Sequence, residues 1–139
     1  MMDNKDIREF VRKTLGCTCP DEVFQHIECQ TGLFIEDNLV LDYEINVGNR
    51  LLIYVTRVDD TDSLGPVLSR LVWTGKHKRD KDGFNRLRLV LLTHEPTVVA
   101  KEASDIFQTL DTTDEKVHLH VIDKEDFPIG RGQYQHKSS

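Results

Sequence analysis

The chain has 139 residues, 38% of them hydrophobic and 30% charged, the composition of a folded globular domain and not of a disordered segment. Its formal net charge is −6, so the field of the whole molecule repels polyanions and argues against general affinity for nucleic acid. Three cysteines are too few, and of the wrong parity, for a disulfide scaffold, and no apolar run reaches the ~18–20 residues of a membrane span. The N-terminus carries no apolar signal core, which leads to the expectation of a cytoplasmic protein with reduced thiols.

Ile7, Phe10, Val11 and Leu15 recur at helical spacing and predict an amphipathic helix over residues 4–15. Asp3 and Asp6 suit its N-terminus, and Gly16 suits the left-handed position that ends it. Cys17-Thr18-Cys19-Pro20 follows. Pro20 fits the first turn of a second helix with Cys19 at its N-cap, and Val23, Phe24 and Ile27 give that helix a buried stripe fading between Cys29 and Gly32.

Leu39, Leu41, Tyr43, Ile45 and Val47 alternate as in a half-buried strand, expected at the sheet edge. Gly48-Asn49 is a tight hairpin turn, because both residues accept positive φ. Leu51–Val55 is apolar on both faces and predicts a central strand. Leu64, Leu68, Leu71 and Val72 form a helical stripe that ends near Asp80–Gly83. A second two-faced strand runs from Leu87 to Leu92, a helix opens at Pro96 and carries Val99, Ala103, Ile106, Phe107 and Leu110, and the last strand is Val117–Ile122. The order α-α-β-β-α-β-α-β predicts a three-layer α/β domain over residues 1–130. Its sheet is mostly parallel, of about four strands, with one antiparallel edge strand and two N-terminal helices. Residues 131–139 read as a flexible polar tail.

Three groups of residues could carry chemistry. Cys17 and Cys19, at a helix entrance, are the candidate catalytic thiols: the positive end of a helix favours thiolate, while Asp21 and Glu22 oppose it. A Cys-x-Cys disulfide closes a small strained ring that is easily reduced, which suits thiol redox exchange, and the pair could also bind a soft metal. Cys19 is then the nucleophile and Cys17 the resolving thiol. On a continuous helix over 20–29, Cys29 would stand roughly 15 Å from Cys19, beyond disulfide reach, at ~1.5 Å per residue. It would share a face with His26. Cysteine also serves as a small hydrophobe between helices, with no chemical role.

The second group lies in the loops beyond the carboxyl ends of the predicted parallel strands: Asp59-Asp60-Thr61-Asp62-Ser63, Thr93-His94-Glu95 and Asp123-Lys124-Glu125-Asp126. Asp60, Asp62 and Asp123 offer hard oxygen ligands for Mg²⁺ and a phosphate ester. Asp60-Thr61-Asp62-Ser63-Leu64 resembles the Asp-x-Asp opening of haloacid-dehalogenase-like phosphotransferases over those few residues. It departs from their pattern in lacking the glycine and threonine after the second aspartate. The same aspartates also suit turns and helix caps. His118 and His120 share one face of a strand and could bind zinc with a third ligand; on an edge strand they would face solvent.

The third group is basic: Lys76, Lys78, Arg79, Lys81, Arg86 and Arg88, flanked by Trp73 and Phe84. A basic run with aromatics can grip phosphate and stack a base; it reads more readily as the solvated cationic end of a helix, or as a contact for an acidic partner or a second subunit. Three functions are therefore expected from sequence: a thiol redox or soft-metal protein, a non-catalytic protein-binding or assembly module with structural cysteines (homodimer included), and a Mg²⁺-dependent phosphate-handling enzyme.

Overall fold

The computed structural model describes residues 4–16, 21–36, 39–58, 61–110 and 116–127. They form a mixed α/β fold around a five-stranded sheet in the order β1-β2-β3-β4-β5. The strands are β1 (Ile27–Glu36), β2 (Leu39–Val47), β3 (Leu51–Arg57), β4 (Arg86–Thr93) and β5 (Val117–Asp123). Helix α1 (Asn4–Glu9) continues into a π turn at Phe10–Thr14, α2 (Leu64–Asp82) joins β3 to β4, and α3 (Pro96–Thr109) joins β4 to β5. The first three strands are antiparallel neighbours, and β3, β4 and β5 run parallel.

The apolar pattern explains the layers. On one face of the sheet Leu52, Tyr54, Leu87, Leu89 and Leu91 meet Leu64, Leu68, Leu71 and Val72 of α2 and Val99 and Ala103 of α3. On the other, Ile53, Val55, Val90 and Leu92 meet Ile7, Phe10, Val11 and Leu15 of the N-terminal helix, with Phe127 closing over Phe10 edge-on at 5.0 Å. Each fully buried leucine or phenylalanine contributes about 1.5–3 kcal/mol. Two-faced burial on β3 and β4 follows from covering the sheet on both sides, as the apolar runs require. Gly75 lets α2 approach the sheet closely, because a Cβ there would press on Leu87 and meet Tyr54.

The hairpin turn forms as expected, with Gly48 at φ 61° and Asn49 at φ 58°. Gly48 also packs against the Val23 backbone, leaving no space for a side chain, and its N–H donates to the His26 carbonyl at 2.6 Å. Asn49 is held in its left-handed conformation by Asn46, whose Oδ1 accepts from Asn49 N at 2.8 Å.

Two expectations are corrected. The second N-terminal helix is absent among the described residues: residues 21–25 make a short 3₁₀ turn, and the chain then extends as β1. Pairing with β2 along Ile27↔Val47 to Leu33↔Leu41 outweighs the short helical stripe of Val23, Phe24 and Ile27. Consequently β2 is internal, β1 is the antiparallel edge, and the sheet has five strands, half of whose pairings are antiparallel. The expected tail at 131–139 lies outside the described residues.

Candidate functional site

The expected thiols Cys17 and Cys19 lie outside the described residues, as does Asp60. Cys29, expected on a helix face with His26, sits instead on β1. It is half-buried against the core beneath α1, and burial pushes its thiol above the ordinary range, away from nucleophilic chemistry. The His26 ring precedes the strand and meets Glu28 Oε1 at 2.8 Å.

The acidic loops do fall beyond the carboxyl ends of β3, β4 and β5. Asp62 is exposed. Asp123 Oδ1 accepts from Glu125 N at 2.9 Å, and Thr93 Oγ1 accepts from Glu95 N at 3.1 Å, so these two side chains hold turns. Among the described residues no three His, Cys, Asp or Glu side chains converge as a metal site. His118 and His120 share the face of β5 toward α1, while Val117, Leu119 and Val121 pack toward α2 and α3. His120 is only partly open to solvent, and its Nε2 is 2.8 Å from Arg88 Nη1.

The basic stretch is divided by the sheet. Trp73 is 56% exposed on α2 and stacks on His77 with ring centroids 5.4 Å apart. Arg88, on β4, projects to the opposite face and donates Nη1 to the Leu15 carbonyl at 2.9 Å. Lys78 and Phe84 of this stretch line a cavity.

That cavity is a groove of about 390 Å³. Helices α2 and α3 cover β3 to β5 and leave part of β1 and β2 open on the same face. The floor is two cross-strand pairs, Glu28↔Asn46 and Gln30↔Glu44, with Leu52 beside them. Lys78 and Asp82 from the last turns of α2, with Phe84, form one wall, and Asn49 of the hairpin lines the end. Cross-strand neighbours on one face stand close enough to act together, and Lys78 and Asp82 lie one turn apart on the same side of α2.

Glu44 is the centre of this arrangement. It is 8% exposed, and Lys78 Nζ lies 2.9 Å from its Oε1 and 3.9 Å from Asp82 Oδ2. The ammonium meets Oε1 as a charge contact off the hydrogen-bonding direction, so this buried oxygen has no hydrogen-bond donor. Buried Tyr54 lies nearby; burial first, then the Glu44 and Asp82 charges, push its hydroxyl well above the ordinary range and keep it protonated. The groove thus holds three carboxylates, from Glu28, Glu44 and Asp82, against the one ammonium of Lys78. It favours a cation.

Sequence reasoning passed over Glu44 because alternation on β2 makes it an outward, solvated position. It is buried because α2 ends above it. Arg88 left a clearer trace: a charge inside the apolar run Leu87–Leu92 needs a reason. No family model, no curated protein and no solved structure matches the chain, and among the described residues no helix is long and apolar enough to cross a membrane.

Proposed function

We propose that the protein is a non-catalytic binding module whose groove receives a positively charged group, an amine or a guanidinium, carried by a small ligand or by a basic side chain of a protein partner. The observation that carries this reading is Glu44: a nine-tenths buried carboxylate on an open groove, whose Oε1 has the Lys78 ammonium at 2.9 Å but receives no hydrogen bond. A donor aimed along its lone pair adds a charge-assisted hydrogen bond that the ion pair with Lys78 does not supply. A groove of this volume is in the range of small-molecule sites, and Phe84 and Leu52 supply apolar contact for a methylene chain. The paired amides of Asn46 and Asn49, fixed to each other at 2.8 Å, give it a rigid polar end.

Calorimetric titration with spermidine and with argininamide at low ionic strength tests the reading. Saturable binding of at least one probe, weakened about tenfold or more in Glu44→Gln, supports it, since a hydrogen bond to a charged group is worth about 1.5–3 kcal/mol. Failure of both probes to bind, or equal binding by the variant, overturns it.

Thiol exchange by Cys17 and Cys19 is a second reading, supported by the sequence alone: two thiols one residue apart can close a strained, easily reduced disulfide. Thiolate formation followed by ultraviolet absorbance against pH separates the cases: a midpoint below the ordinary value of about 8.5 supports exchange, and an ordinary midpoint rejects it.

A further inference from the structure

On the face of the sheet opposite the groove, cationic and imidazole side chains gather with no carboxylate paired to them among the described residues. Arg86 and Arg88 alternate along β4, and the ladder places Arg88 opposite His118 on β5, with His120 two residues on. Arg88 Nη1 is engaged with the Leu15 carbonyl at 2.9 Å and with His120 Nε2 at 2.8 Å. A guanidinium can only donate, so His120 Nε2 accepts and its ring proton sits on Nδ1. Arg88 Nε and His118 Nε2 are buried without a hydrogen-bond partner. Among the described residues no carboxylate lies within ion-pair distance of Arg86 or Arg88.

A half-buried guanidinium with no anion among the described residues is electrostatically unsatisfied, because its partial desolvation is not offset by an opposite charge. The neighbouring groups add to the strain: both imidazoles are driven toward the neutral form, first by burial and then by Arg88. Every feature of the cluster calls for the same missing object, a compact group with several acceptor oxygens and negative charge. Arg86, exposed and two residues along the same face, marks the side from which it would enter.

We propose that Arg86, Arg88, His118 and His120 form an oxyanion site whose ligand is a phosphate group, free or carried as a monoester. Two guanidinium groups suit phosphate because each presents several N–H donors in a fixed plane. A tetrahedral dianion seated there supplies acceptors to Arg86 and Arg88. The entering ligand turns the Arg88 side chain so that Nε reaches it. That turn breaks the bond from Arg88 to His120 Nε2, and the bound anion raises the proton affinity of both imidazoles, so each takes up a proton and becomes a further donor. The site is separate from the groove, being on the other side of β4, and does not rest on the groove's occupant.

The test is titration of the full chain with inorganic phosphate and, in parallel, with phenyl phosphate, read by calorimetry and by the imidazole proton shifts. The expected result is one saturable site, downfield movement of both histidine signals as they take up protons, and a tenfold or greater loss of affinity in Arg88→Met. His118→Gln, which leaves the Arg88–Leu15 contact in place, should lose about three- to tenfold and serves where Arg88→Met fails to fold. Lys81→Met, a cation on α2, should bind as the parent does. Tighter binding of phenyl phosphate assigns a phosphomonoester, and equal binding assigns free phosphate. Absence of binding by both probes, or binding that His118→Gln and Arg86→Met leave unchanged, overturns the proposal.

Discussion

The groove under α2 and the cluster beside α1 are mirror cases of one electrostatic problem. In the groove a buried carboxylate, Glu44, is answered by a cation on the neighbouring helix, and negative charge remains in excess. In the cluster a half-buried guanidinium, Arg88, is answered among the described residues by a carbonyl and a neutral ring. The difference teaches where each charge is indispensable. Lys78 is required by the fold because Glu44 is buried beneath it. On the oxyanion proposal, the charge of Arg88 serves the ligand and not the fold.

The sharpest way to break the comparison is to move α2. Gly75→Leu forces a branched side chain against Leu87 and Tyr54 and lifts the end of the helix that carries Lys78. A loss of about 3 kcal/mol in urea unfolding is expected, together with loss of groove binding; phosphate binding should persist below the unfolding transition. Equal loss at both sites would mean that the two faces are not independent.

Next is the pair of isosteric charge removals. Lys78→Met leaves Glu44 buried and unpaired and should cost about 2 kcal/mol, discounted from the larger values of fully buried pairs because Lys78 is 39% exposed. Arg88→Met should change stability by less than about 1 kcal/mol, because losing the bond to Leu15 is offset by losing an uncompensated charge. Urea midpoints measured side by side decide this. A larger cost at Arg88 than at Lys78 would reverse the assignment.

A smaller effect follows from pH. Burial and Arg88 depress His120 from 6.5 to about 4, so between those values the unfolded chain binds more protons than the folded one. Stability is complete above pH 6.5 and is lost as pH falls toward 4. Since His120 is partly open to solvent, the loss should be on the order of 1 kcal/mol after screening. Acid unfolding of His120→Gln should lack this component, and phosphate should shift it to lower pH. The smallest expected effect is at the hairpin: Asn46→Ala removes the side chain that holds Asn49, should cost about 0.5–1 kcal/mol, and should loosen the groove without touching the cluster. Thermal unfolding with spermidine or phosphate present measures both.

Much of the fold was legible because it rests on apolar periodicity. The two-faced runs Leu51–Val55 and Leu87–Leu92 are central strands, and the stripes of Leu64–Val72 and Val99–Ala103 are helices on one face of the sheet. Residues 27–36 were not legible. Ile27, Cys29, Thr31 and Leu33 alternate, but Gly32 interrupts them at φ 63°, and Val23, Phe24 and Ile27 imitate one turn of helix. Pairing with β2, a tertiary fact, settled the competition. The sites were less legible for a related reason. Glu44 and Arg88 are distinguished by their surroundings, which come from residues 34 and 73 positions away in the chain, Lys78 and Leu15. Spacing in sequence carries no record of such contacts. The thiol pair drew attention through local chemistry alone, and its expected role remains a matter for thiol titration.

The most direct test of the two-sided account is amide chemical-shift mapping with spermidine and inorganic phosphate added in separate experiments. Spermidine should move Glu28, Glu44, Asn46 and Lys78 and leave Arg88 and His118 in place, while phosphate should do the reverse. Overlapping sets of moved residues, or shifts spread evenly along the chain with both additives, would contradict the two-sided account.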